Sequence, residues 1–336
     1  MPSSTLESRR VRRAYRWIVA TAFVLFLILT GFWFFAAHQL DRIVTREIER
    51  AGARGVTVSC PGQDVVGYPF RIGLSCDDVA VDAPGEGFSL DAGPFRSAAQ
   101  IYQPNKVVSE LGSPVRIRSQ GQPPVDLTWT LAQASTSFWT EGLDRLSIVS
   151  DSPNLAVDGQ PVFSALRSTA HVRRREADLD IAATQTSARV EVPQARGLPL
   201  FDLSADLTVE GAAGWLSGSA TGQSARELLA GRSGTLRSLA LAFAGEPSGA
   251  DLSGDFSFSD DGLLSGDFAL AVTSPDRLAT IVAGLAPQAA SIAQTVASVI
   301  PFVGKTENGR TVIRITADQG RLSAGVLPLG TVPPLK

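Results

Sequence analysis

Histidine, cysteine, lysine and methionine are nearly absent: this chain of 336 residues holds two, two, three and one of them. That poverty removes most common catalytic chemistry. His38 and His171 are the whole supply of imidazole. A Ser-His-Asp triad would have to use His171, because His38 borders the apolar N-terminal run, and no Gly-x-Ser-x-Gly turn offers a nucleophile. None of Lys106, Lys305 and Lys336 lies in a Ser-x-x-Lys motif. A Walker A loop, a His-Glu-x-x-His helix and a dinucleotide fingerprint are missing too. The cysteines form no Cys-x-x-Cys and have no histidine nearby, so neither a metal nor a cofactor is expected.

Positive charge is also scarce beyond the N-terminus. The net charge is −3, yet residues 1–16 carry Arg9, Arg10, Arg12, Arg13 and Arg16 against the single Glu7. Everything after them is therefore −7, which argues against nucleic acid as a partner. The preference for Arg over Lys fits a GC-rich bacterial genome and carries no mechanism. With 31 Gly and 20 Pro, the composition points to many turns rather than a helical bundle.

What the chain does have is one long apolar run, Trp17 to Ala37. At about 1.5 Å per residue it spans roughly 31 Å, the thickness of a bilayer's hydrocarbon layer. The run is too long for the apolar part of a cleaved signal peptide, and Phe35-Ala36-Ala37 lacks the small-x-small pattern. An uncleaved anchor is expected, with residues 1–16 as a cytoplasmic tail and the rest across the inner membrane, in the periplasm. Leu40, Ile43, Val44 and Ile48 then mark an amphipathic stalk helix over 38–55, ending near Gly52. Two heptads are too few to claim a coiled coil. Cys60 and Cys76 lie on the exported side, where an even count favours a disulfide over a pair of buried thiols.

From residue 56 to 336 the signal has period two. Val125, Leu127, Trp129 and Leu131 alternate with polar neighbours, as do Leu203, Ala205, Leu207 and Val209. Leu252 to Val272 reads as a hairpin turning at Asp260-Asp261-Gly262, and Val312 to Leu329 as a second turning at Asp318-Gln319-Gly320. Their likeness leaves a duplicated unit open. Helices are few. Pro104 is expected to open one through Leu111, and Ala225 to Ala230 forms another. A helical insert over 275–300 starts at Ser274-Pro275-Asp276, is kinked or split at Pro287 and stops at Pro301. Its stripe is Leu278, Ile281, Val282, Leu285, Ile292, Val296 and Val299, and no charge occurs between Arg277 and Lys305. It reads as a helix pair packed on the sheet, or else as a lid over an apolar groove or a membrane-touching segment; Pro287 and two glutamines disfavour a second pass.

Arg173, Arg174 and Arg175 are the dense basic run outside the N-terminus. They are candidate contacts for lipid or lipopolysaccharide phosphates. A charged edge strand is the preferred reading, given Glu176, Asp178 and Asp180 just after them. Adjacent carboxylates at Asp77-Asp78 and Asp260-Asp261 point to opposite faces or serve a turn, so they make no glycosidase pair.

Several segments resemble an uncharacterised Gram-negative envelope family, domain of unknown function 2125. They are the N-terminal anchor, Gly67-Tyr68-Pro69-Phe70-Arg71 ahead of Cys76, Ala99-Gln100-Ile101-Tyr102-Gln103-Pro104, and Pro328-Leu329-Gly330-Thr331-Val332-Pro333-Pro334-Leu335. The resemblance implies no catalytic residue. More loosely, the architecture is similar to AsmA-like proteins, anchored β-grooves implicated in lipid traffic.

The expected fold is mainly β with a few helices, an elongated, curved antiparallel sheet forming a groove behind one transmembrane helix. The leading function is noncatalytic: holding an apolar envelope component such as lipid. Phe256, Phe258, Phe268 and Leu270 are candidate lining residues, with Leu278, Ile281, Val282 and Leu285 from the helices. An assembly factor docking another envelope protein is the alternative, and a hydrolase comes third. Alternation does not separate a filled core from an open groove.

Overall fold

The computed structural model describes residues 4–140, 142–195, 198–218, 220, 223–245, 248–285, 290–307 and 310–335. The segments expected as anchor and stalk form one unbroken helix, α1 (Ser4–Ala53), of 50 residues. It contains no proline after its start and runs about 75 Å. Among the described residues it is the one helix long and apolar enough to cross a membrane. Within the apolar run only Trp33 and Ala37 are buried. They belong to a stripe continuing through the half-buried Leu40, Val44 and Ile48, and this face meets the β domain. Ile43, expected in that stripe, is exposed.

The contacts on this face are specific. The Trp33 indole donates to the Arg71 carbonyl at 2.6 Å, which satisfies its buried N–H. Thr30 and Tyr68 share a hydroxyl hydrogen bond of 3.0 Å, and the Trp33 and Tyr68 rings meet edge-on at 5.4 Å. Gln63 donates to Asp41 at 2.7 Å. After α1, the N–H groups of Arg54, Gly55 and Val56 bond back to Ala51 and Gly52, so the chain turns directly into the domain. Cys60 and Cys76 form the disulfide read from the sequence, with Cα atoms 5.2 Å apart.

Among the described residues, twenty-three strands, numbered in chain order, make one open antiparallel sheet with two legs. The first leg runs β1 (Thr57–Ser59), β4 (Val79–Ala83), β5 (Phe88–Ala92), β8 (Val115–Ser119), β9 (Val125–Thr128), β12 (Asn154–Val157), β13 (Gln160–Ser164). The second leg begins β2 (Asp64–Val66), β3 (Arg71–Cys76), β6 (Phe95–Gln100), β7 (Gln103–Leu111), β10 (Leu131–Trp139), β11 (Gly142–Asp151), β14 (Arg167–Arg175). It continues through β15 (Asp178–Val190), β16 (Phe201–Val209), β17 (Ser233–Phe243), β18 (Gly249–Phe258), β19 (Leu264–Thr273) and β21 (Arg310–Asp318). Beyond β21 lie β20 (Lys305–Glu307), β22 (Arg321–Ala324) and β23 (Leu327–Thr331).

The strand orders of the two legs match because the chain crosses between them at a crease. β3 runs into β4, β5 into β6, β7 into β8, β9 into β10, β11 into β12 and β13 into β14, each after a short break. β15 belongs to both legs, pairing with β14 and, past a register shift between Gln185 and Ala188, with β13. Strands that bend from one layer into another make such corners. The crease explains Gly93 and Gly112. A Cβ on Gly93 would lie 2.8 Å from the Gly112 carbonyl oxygen, and one on Gly112 would lie 2.6 Å from Pro94.

The helices cover the C-terminal half of the inner face. α3 (Pro275–Leu285) and α4 (Ala290–Val303) pack on the ends of β17, β19 and β21. Leu278, Ile281 and Ile300 join Phe243, Val272 and Ile313 in one buried cluster. α2 (Ala225–Leu229) and a 3-10 turn (Ala213–Ser217) pack at the other strand ends, bringing Leu229, Trp215 and Leu216 to Leu179 and Val209. Ser224 and Glu227 close α2 with a capping box.

Four expectations are corrected. Gln103–Leu111 is strand, not helix: Pro104 lies in the register shift between β6 and β7, where the ladder does not need its N–H. The run from Val125 to Leu131 is two strands, split at Trp129-Thr130 by the crease. The last helix passes Pro301 and ends at Val303. The return arm of the second hairpin is two strands, broken between Ala324 and Leu327. The turn at Pro287 and the side chain of Leu285 lie outside the described residues.

Candidate functional site

Alternation along β16 to β21 puts apolar side chains on the inner face, and the register shapes what they enclose. Phe256 lies between Gly234 and Gly266 on its neighbouring strands, and Phe268 lies opposite Gly254. A Cβ on Gly234 would stand 2.6 Å from the Phe256 ring, and one on Gly254 would stand 2.9 Å from the Phe268 ring. The rings therefore lie over glycine backbone. Beside them is an open hollow of about 400 Å³. Leu207, Val209, Leu229, Leu236, Leu252, Phe256, Phe258, Leu264, Phe268, Ile315, Leu322 and Val332 line it, with no polar side chain.

Only Val209 and Ile315 of these are buried; the rest are partly exposed. Across the described residues, Ile313 and Val209 are the largest fully buried side chains. A filled core of this size would hold many more. A second apolar hollow of about 220 Å³ lies under α3 and α4, where Leu270, Leu278 and Val282 line it with Leu241, Val272 and Val296. The structure thus brings Phe256, Phe258 and Phe268 together in the larger hollow, and Leu270, Leu278 and Val282 in the smaller. Ile281 is 8% exposed and packed in the cluster. The lining from β16 and β17 was missed, although the alternation of Leu203 to Val209 carried it.

The outer face is polar. Arg173 lies directly opposite Asp180 and donates to it at 2.6 Å, while the Thr208 hydroxyl donates to the other oxygen at 2.7 Å. Arg237 donates to Thr208 and to Asp206. Burial pushes the Asp180 pKa up, but the hydrogen bonds from Arg173 and Thr208 and the charges of Arg175 and Arg173 outweigh it and hold the carboxyl low. Asp206 is held low chiefly by the Arg237 hydrogen bond. Glu227 is lowered by the Ser224 backbone N–H in the capping box. Lowered carboxylates suit ion pairs, the opposite of a general acid.

The arginine run lies on an inner strand and not an edge strand, because β14 is paired by β11 as far as Arg173 and by β15 as far as Arg175. Arg173 and Arg175 face outward toward Asp180, whereas Arg174 faces inward and lies over the Trp139 ring at 5.2 Å. Strand alternation requires this division. His171 is exposed beside them in an open outer hollow of about 540 Å³, also lined by Arg145 and Arg237. Among the described residues, no group of three or more His, Cys, Asp and Glu is placed to hold a metal ion.

No curated protein and no solved structure matches this chain. Residues 33–333 match the family described as "uncharacterized protein conserved in bacteria" (DUF2125), a stretch reaching from the Trp33 contact of α1 to the residues after β23. The bent sheet, its apolar inner face and its docking on the long apolar helix are thus features of a chain that belongs to the DUF2125 family.

Proposed function

We propose that this protein is a noncatalytic holder of an apolar envelope component, a lipid, anchored in the inner membrane with its β domain in the periplasm. The observation that carries the reading is the larger of the two apolar inner hollows. At about 400 Å³ it falls in the range of ligand sites, its lining is wholly apolar, and most of that lining is partly exposed. Water against such a surface is unfavourable, and an acyl chain would replace it. Arg9 to Arg16 support the orientation by the positive-inside rule. The looser likeness to AsmA-like grooves points the same way as an analogy of architecture.

Native mass spectrometry of the detergent-solubilised full chain, followed by organic extraction, tests this. The expected result is one apolar molecule retained stoichiometrically by the wild type and lost from Leu252→Trp, which fills the hollow. A lipid-free wild type would sink the reading and favour docking to another envelope protein.

A further inference from the structure

We propose that one end of the second leg is a seat on the bilayer, in which aromatic side chains enter the interface and two basic residues meet phospholipid phosphates. The strand registers gather at this end the 67–70 loop, the 101–102 turn and the end of β10 at Trp139. Arg71 pairs with Gln100, the Ile101 N–H donates to the Phe70 carbonyl at 3.1 Å, and Asn105 donates to the Phe138 carbonyl at 3.4 Å.

The depth of this end follows from what it touches. Tyr68 shares its hydrogen bond with Thr30, and Thr30 lies in the apolar run, seven residues before its end at Ala37. That is about 10 Å along the helix. A bilayer placed on the run therefore reaches the loop. Phe70 is 63%, Tyr102 72% and Trp139 50% exposed. Arg174 covers part of the Trp139 ring, but in water the row as a whole is costly, while at the bilayer interface it is the usual belt of membrane-facing aromatics.

The charges agree. On the outer face beside these turns is an open hollow of about 730 Å³, with Arg71 and Lys106 nearest the aromatic end. Glu110 is its one acidic lining residue, four positions further along β7. In a chain that is −7 beyond residue 16, this is a local excess of positive charge placed where lipid phosphates would lie. The partner is the leaflet around α1. The inference rests on α1 crossing a bilayer and not on what the inner hollow holds.

The test uses the full chain in vesicles of phosphatidylcholine and phosphatidylglycerol, labelled with a nitroxide at Phe70→Cys, Tyr102→Cys, Leu25→Cys or Val326→Cys, with the native disulfide left oxidised. Leu25 lies mid-anchor, and Val326, 97% exposed, lies in the turn between β22 and β23 at the opposite end. Oxygen should relax the labels at 25, 70 and 102 several-fold more than a water-soluble nickel chelate, with the reverse at 326. Labels at 70 and 102 that behave like 326 while 25 stays in lipid would overturn the seat and leave the anchor intact. A label at 25 in water would overturn both. Arg71→Glu with Lys106→Glu should move the label at 102 several-fold toward the chelate; an unchanged depth would remove the phosphate contact.

Discussion

Truncating equivalent side chains in the hollow and in the packed cluster should give opposite signatures. Ile313 is 2% exposed and surrounded by Phe243, Leu278 and Ile300. Ile313→Ala removes buried methylenes and leaves a cavity, at about 2–5 kcal/mol. A β domain of this size has an unfolding entropy on the order of 0.6 kcal/mol per degree, so the midpoint should fall by about 3–8 °C. Leu252 is partly exposed and already borders open space. Leu252→Ala forfeits roughly half of the transfer free energy of three methylenes, about 1 kcal/mol, with no new cavity, and the midpoint should fall by about 2 °C. Lipid retention should move the other way, weakening about fivefold for Leu252→Ala, the equivalent of about 1 kcal/mol, and little for Ile313→Ala. Scanning calorimetry paired with lipid quantification on the full chain reads both. Equal destabilisation by the two variants would refute the reasoning, since it would mean that the hollow is packed core.

Replacing Cys60 and Cys76 together by Ser should cost about 3 kcal/mol in the chain-entropy account of a loop this long, read as a lowered midpoint only under oxidising conditions. Asp180→Asn should destabilise by about 1–2 kcal/mol at neutral pH, since Arg173 and Thr208 lose a charged acceptor and Arg173 is half-exposed. Because the folded carboxyl is lowered, its contribution is whole above the ordinary Asp value of about 4 and is lost as pH falls through the folded value. Stability curves of wild type and variant should therefore converge below that pH, and a constant gap would count against the ion pair. A reporter joined after Lys336 should be active only in the periplasm; cytoplasmic activity would reverse the orientation.

The long apolar helix, the disulfide and the Phe256–Phe268 hairpin were legible because each has a local signature: a long apolar run, an isolated pair of cysteines, and period two around Asp-Gly. Misread segments depend on partners distant in sequence. Pro104 suits the first turn of a helix as well as a strand irregularity, and only pairing with β6 and β10 decides. The alternation through Trp129 is as regular as in any strand, and nothing local announces that Thr130 bonds to Asp151 across the crease. Arg173 to Arg175 read as an edge because charge there prevents association, yet β11, more than twenty residues earlier, covers it. The hollow was partly legible: Phe256, Phe258 and Phe268 were named for it and the rest of its lining was not, and whether anything fills it depends on how far α3 and α4 reach.

Joining α1 directly to the β domain has a consequence for traffic. A flexible linker of a few dozen residues would let a domain sweep tens of ångströms from its anchor. Here three hydrogen-bonded residues separate helix from sheet, and the helix is itself clamped to the sheet through Trp33, Thr30 and Asp41. With α1 crossing a bilayer as proposed, the domain would diffuse in two dimensions with a fixed tilt and no radius of search. A lipid held as proposed would leave by lateral encounter or to a carrier arriving from solution, and swinging across a gap would be closed to the domain.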